Sequence, residues 1–180
     1  MNKLLNAALA PEVNKALQHW GQIEDAYKEG VLIGGIAVSM YSRARSTEDI
    51  DILYREESDV PDNLTGFRKF RAHSFRHNQT HVEVETLTPD FLRIPKSIVN
   101  QVFDTAVQMG TLRVASVEGI IALKLVSTRH KDMSDVITLL QHNPNIDMSS
   151  WNLDMLTQDK LDKARELAEE EFKNQPRDLY

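Results

Sequence analysis

The sequence predicts an α+β protein, a mixed β-sheet flanked by helices and followed by a helical C-terminal part. Three observations predict it. Strand-like and helical segments alternate in the N-terminal third, several strand-like segments then follow in a run, and beyond Ser116 only helical spacing remains.

From Pro11 to Glu29 the apolar residues Val13, Leu17, Trp20, Ile23 and Tyr27 stand three and four apart, on one side of a helix that Pro11 opens and Gly30 stops. Val31-Leu32-Ile33 reads as a short buried strand running into Gly34-Gly35, after which Ile36 to Ala44 returns to helical spacing. Asp49 to Tyr54 is the next strand, with carboxylates on one face of its first half. Arg55 to Gly66 carries Pro61, Asp62, Asn63 and Gly66 and reads as a surface loop.

Two strands are expected next, Phe67 to Arg76 and Thr80 to Leu87, joined at His77-Asn78-Gln79. Val102 to Val107 and Thr111 to Ala115 then predict a hairpin around Met109-Gly110. Ser116 has the chemistry of an N-cap for a helix reaching Arg129. A second helix spans Asp132 to Gln141 and ends before Asn143-Pro144, a short helical segment covers Trp151 to Leu156, and a last helix runs from Gln158 to Lys173. This order divides the chain into a core at 1–115 and a helical region at 116–180, with no internal repeat or long linker.

The chain of 180 residues is long enough for one core of ordinary size, and its zero cysteines exclude a disulfide framework, a thiol nucleophile and thiolate metal sites. No run of apolar residues reaches the length of a membrane span, so a cytoplasmic protein is expected. With 27 acidic against 21 basic residues and a net charge of -6, bulk coating of nucleic acid is excluded, whereas a local basic patch is allowed.

The chemistry gathers at Gly34-Gly35, thirteen intervening residues (36 to 48), then Asp49-Ile50-Asp51. In a strand, residues i and i+2 point to one face about 6.5 to 7 Å apart, so the two carboxylates can converge on a hard cation. Magnesium takes oxygen ligands and is commonly held by one or two carboxylates together with substrate phosphates. The Gly-Gly turn suits the other half of that task, because backbone N–H groups at the start of the following helix can approach a phosphate. A third carboxylate would complete a two-metal arrangement, and Glu83 and Glu85, on one face of the strand from His81 to Leu87, both offer one. Lys124, Arg129, Lys131, Asp132 and Asp135 surround a helix break and gather charge at one corner, able to hold phosphates or a nucleotide's sugar and base.

The run Ile33-Gly34-Gly35-Ile36-Ala37-Val38, then Arg45-Ser46-Thr47-Glu48-Asp49-Ile50-Asp51-Ile52, then Val82-Glu83-Val84-Glu85-Thr86-Leu87-Thr88, resembles the nucleotidyltransferase superfamily related to polymerase beta. In that superfamily the third acid sits in a pattern onto which Glu85 falls. The spacing of Lys124, Arg129 and Lys131-Asp132 is similar to a further motif of AbiEii-type toxins, the nucleotidyltransferases of type IV toxin–antitoxin systems. Gly35 stands where those toxins more often carry serine, and the third acid is glutamate rather than aspartate.

The resemblance implies a nucleotidyltransferase fold and an enzyme that moves NMP from an NTP to a hydroxyl of a macromolecule, releasing pyrophosphate. Asp49, Asp51 and Glu85 would be its catalytic acids and hold two Mg2+ ions; Gly34, Gly35, Lys124, Arg129, Lys131 and Asp132 would bind the nucleotide. By analogy with the toxins the acceptor is RNA, a tRNA 3′ end foremost, and the partner a cognate antitoxin; a protein or an antibiotic hydroxyl is the other acceptor class. Against these stands an inactive nucleotide-binding or interaction module of the same fold. Arg68, Lys69, Arg71 and Arg76, with Phe67, Phe70 and Phe75 interleaved and no acid among them, form a stretch suited to an RNA backbone or an ordinary solvated strand. His73, His77 and His81 sit on alternating strand rather than helix, which argues against a zinc site.

Overall fold

The structure, a computed structural model, describes residues 16–42, 47, 49–127 and 129–174. Its elements are α1 (Trp20–Ile23), β1 (Val31–Ile33), α2 (Gly34–Tyr41), β2 (Ile50–Leu53), a 3-10 turn (Glu57–Asp59), β3 (Phe67–Arg71), β4 (Ser74–His77), β5 (Glu83–Leu87), α3 (Pro89–Leu92), α4 (Lys96–Thr105), β6 (Val107–Met109), β7 (Leu112–Val114), α5 (Val117–Val126), α6 (His130–His142) and α7 (Met155–Asn174). The strands form one mixed sheet in the order β3-β4-β5-β2-β1-β7-β6. β2 runs parallel to β5 and β1 to β7, while the other pairs are antiparallel. The fold is therefore α+β, as the sequence predicts.

The start of the helix proposed from Pro11, with Val13, lies outside the described residues, but Leu17, Trp20, Ile23 and Tyr27 are all buried, as their spacing requires. β1 is buried along its whole length because it lies deep in the sheet, between β2 and β7. Ser116 caps α5, its Oγ accepting from the Gly119 amide at 3.1 Å. The helices α5 and α6 pack on each other and on α2, and α7 packs on both. Val117, Ile120, Val136, Leu161 and Ala164 share the core with Ile36, Ile50 and Val84. Among the described residues no helix is long and apolar enough to cross a membrane.

Four expectations change. Val102 to Thr105 is the end of a helix and only Val107 of the expected strand lies in one, because Ile98, Val99, Val102 and Phe103 line one face of α4, a pattern visible only when the window starts at Lys96. The hairpin at Gly110 is correspondingly short. Phe67 to Arg76 is two strands, turned at Ala72-His73, with a register shift between Lys69 and Arg71. β5 begins at Glu83 rather than Thr80, since His81 has φ 61° and leaves the extended region. The segment from Trp151 to Asp154 is not helical; α7 starts at Met155, where Asp154 Oδ1 accepts from the Thr157 amide at 2.8 Å.

Candidate active site

The strand register assembles the acids. Asp51 on β2 is the direct partner of Glu85 on the parallel strand β5, and Ile33, the last residue of β1, is the antiparallel partner of Asp51. Residues paired opposite each other point to the same side of a sheet. Asp51, Glu85 and the turn after β1 thus meet at one place, although 17 and 34 residues separate them in sequence, as 51 − 34 and 85 − 51. Asp51 and Glu85 are partly buried and Asp49, just before β2, is exposed.

Gly34 is required twice over. Its φ is +68°, a backbone conformation L side chains rarely adopt, and a Cβ there would lie 1.7 Å from Asp51 Oδ2. The backbone thereby lies flat against the carboxylate at the N-terminus of α2. The Gly35 N–H donates to Asp51, so that amide serves the acid in this structure.

Three negative groups crowd this point. Burial first, then the charges of Glu85 and Asp49, push Asp51 up to about 6, against the pull of the Gly35 hydrogen bond and of Arg129. Glu85 is raised by burial and by the charges of Asp49 and Glu83, with Arg129 and Arg71 opposing. Glu83 lies on the same face of β5 but is engaged by Arg76, whose Nε and NH2 both donate to Glu83 Oε1. Of the two glutamates, Glu85 is the one paired with Asp51. Oxygen donors that repel one another suit a hard divalent cation. They are not closed around a point: among the described residues no three His, Asp or Glu side chains form a ready cluster for an ion.

The corner between α5 and α6 has an interior and an exterior. Lys124, only 8 % exposed, donates to Asp132 Oδ1 at 2.9 Å and to Asp135 Oδ2 at 2.6 Å. Asp132, 1 % exposed, also accepts from Ser127 Oγ at 2.6 Å and from Arg129 Nε at 2.7 Å. Burial pushes the Asp132 carboxyl up, but the Ser127 hydrogen bond, the Lys124 hydrogen bond and charge and the Arg129 hydrogen bond outweigh it and hold it at about 2. Arg129 is the outward member, its side chain 64 % exposed, and its charge acts on both Asp51 and Glu85. Arg129 is thus the exposed cation of the corner, bonded to Asp132, and the Lys124 ammonium stays inside the joint, engaged by two carboxylates. Lys131 is exposed in the first turn of α6.

Sequence reasoning missed two parts of this corner. Ser127 is one: its position in the break between two helices, five residues before Asp132, was the available signal. Lys160 on α7 is the other, donating to the carbonyl oxygens of Leu125 and Ser127 at 2.8 and 3.3 Å, which secures the end of α5 from a distant element and leaves no local trace. His77 stacks on His19 with ring centroids 3.8 Å apart, and Thr80 Oγ1 lies within hydrogen-bond distance of both rings.

A mixed sheet presenting a glycine turn against the first of its paired acids defines a nucleotidyltransferase-type fold. The chain belongs to the family described as "Nucleotidyltransferase of unknown function (DUF6036)", which matches residues 11–175. No curated protein matches it. Among solved structures it is similar to JHP933 from Helicobacter pylori, at 17% identity over 93% of this chain and 96% of that one, with a TM-score of 0.42.

Proposed function

We propose that this protein is an active Mg2+-dependent nucleotidyltransferase that moves NMP from an NTP to a hydroxyl of a macromolecule, RNA foremost. The observation that carries this reading is the pairing of Asp51 with Glu85 across β2 and β5, with Gly34 pressed against Asp51. An interaction module has no need of acids whose mutual repulsion is left standing. In a catalytic site that repulsion is the affinity for a cation.

Asp49, Asp51 and Glu85 would hold magnesium, which when bound neutralises charge on the phosphates and on the leaving pyrophosphate. The exposed Arg129, aimed by Asp132, faces the triphosphate, and Lys131 adds charge at the same helix start. Lys124 acts from inside, by fixing Asp132. Glu85 draws the proton of the acceptor hydroxyl; its burial and its acidic neighbours raise its basicity for that role. The hydroxyl oxygen bonds to the α-phosphorus, the bond from that phosphorus to the bridging oxygen breaks, and pyrophosphate leaves with the electron pair.

The likeness to type IV toxins favours a tRNA 3′ end as acceptor and a cognate antitoxin as partner, in the cytoplasm. The test is transfer of label from each α-labelled NTP, with Mg2+, to total tRNA and cell protein, comparing wild type with Asp49→Ala/Asp51→Ala. Label on RNA that is lost in the variant is the expected result. Label on protein moves the acceptor class. Label that persists in the variant, or none with any nucleotide, overturns the assignment.

A further inference from the structure

β3 is an edge of the sheet, two strands from Glu85, and it carries Arg68, Lys69 and Arg71, all exposed. Among the described residues none of the three has an acidic hydrogen-bond or ion-pair partner, in a chain whose net charge is -6. Exposed Phe70 organises the patch: the Arg76 guanidinium lies 3.5 Å above its ring and that of Arg71 4.9 Å away. Arg76 spends its charge on Glu83, which leaves the β3 cations as the unneutralised ones.

The register joins this patch to the acids. Arg71 pairs with Ser74, Ser74 with Glu85, and Glu85 with Asp51, so a single row crosses four strands on one face of the sheet. A second row, Arg68, Arg76 and Glu83, runs beside it on the same face. The charge of Arg71 acts on Glu85 from its place in the first row. The first row leads from exposed Arg71 at the edge, across the buried Ser74, to Glu85 and Asp51.

The geometry points to the exposed face of the β3 edge as the docking surface for a single-stranded RNA whose 3′ end enters the site at Glu85. This deepens the reading above and rests on it for the identity of the reacting end. The occupant follows from charge: Arg68 and Arg71 on the face of Glu85, with the arginine-capped ring of Phe70 beside them, match a phosphate backbone bearing unstacked bases, which pack on guanidinium planes as well as on rings.

The test is fluorescence anisotropy of a labelled single-stranded RNA with a free 3′ hydroxyl on the full chain, over a salt series, for wild type, Arg68→Ala/Arg71→Ala, Arg68→Glu/Arg71→Glu and Asp51→Ala. Loss of two phosphate contacts should weaken binding roughly tenfold near physiological salt and lower the slope of log affinity against log salt by about 1.4. The charge reversal should weaken it further, and Asp51→Ala should still bind. Unchanged affinity and slope in the β3 variants, with melting temperatures like wild type, overturn the proposal and leave these cations as guards of an open sheet edge. Equal binding of polyglutamate, lost in the same variants, overturns it in favour of an acidic protein partner. Loss of RNA binding without any nucleotide transfer by wild type sinks the catalytic reading alone; transfer with RNA binding indifferent to β3 sinks the docking surface alone.

Discussion

Gly34 and Asp51 are in contact where no side chain fits: a Cβ on residue 34 would fall 1.7 Å from Asp51 Oδ2. The glycine thus sets the position of the acid as much as it shapes the turn. Gly34→Ala must both adopt φ near +68° and displace the carboxylate, and the first of these alone costs about 1 to 2 kcal/mol. We expect a loss of at least that much stability in urea unfolding, with nucleotide transfer abolished. Gly110→Ala, also at positive φ but with nothing within 4 Å of its Cβ, separates the two effects, losing stability and keeping activity.

Lys124 is the only ammonium holding Asp132 and Asp135 among the described residues, and all three are buried. Lys124→Met takes the ammonium from buried Asp132 and Asp135, leaving Asp132 its bonds to Arg129 and Ser127, and should cost about 3 to 5 kcal/mol, read as a lowered melting temperature. Arg129→Ala, at the exposed end of the same cluster, should change stability by less than about 1 kcal/mol while raising KM for the nucleotide. Equal effects on stability would place Arg129 in the structural joint instead.

The same cluster sets a response to acid. Asp132 is held at about 2, below the ordinary value of 3.8, so its contribution to stability is complete above about pH 4 and is lost as the pH falls toward 2. Ser127→Ala removes one of the hydrogen bonds behind that shift. Its acid-unfolding midpoint should move upward relative to wild type, while the two proteins differ by about 1 kcal/mol near neutrality.

His19 gives a second pH dependence, nearer neutrality. Burial and the charge of His77 stacked on it hold its pKa below 6.5. The unfolded chain therefore takes up the proton first, and the stability this group contributes is present above pH 6.5 and lost as the pH falls through the folded value. Asp51 and Glu85, raised in the fold, act in the opposite sense over the same range, so the expected readout is a difference: from pH 8 to pH 5 the melting temperature of wild type should fall relative to that of His19→Gln. A difference between the two proteins that does not change with pH assigns the response to other groups.

The glycine turn, the acid pair on β2, the charge at the α5–α6 break and the caps at Ser116 were legible because each is carried by residues within one turn or one strand of each other. The resemblance chose Glu85 over Glu83, and the register pairs Glu85 with Asp51. Other features left no local mark. Whether Glu85 or Glu83 faces Asp51 depends on the register of a parallel pairing between strands separated by a hairpin, and only the folded sheet sets it. Lys124 and Arg129 look alike in sequence as cations beside a break. Burial decides that one closes the joint from inside and the other binds Asp132 from the exposed side, because an ammonium sealed among carboxylates is cut off from solvent while the guanidinium stays 64 % exposed. The split of Phe67 to Arg76 into two strands likewise came from a turn at Ala72-His73, and it put the basic residues on an edge. Local chemistry was thus determined by the sequence alone, whereas partnership, exposure and the row linking Arg71 to Asp51 were decided by tertiary structure, since they depend on contacts between segments that share no sequence neighbourhood.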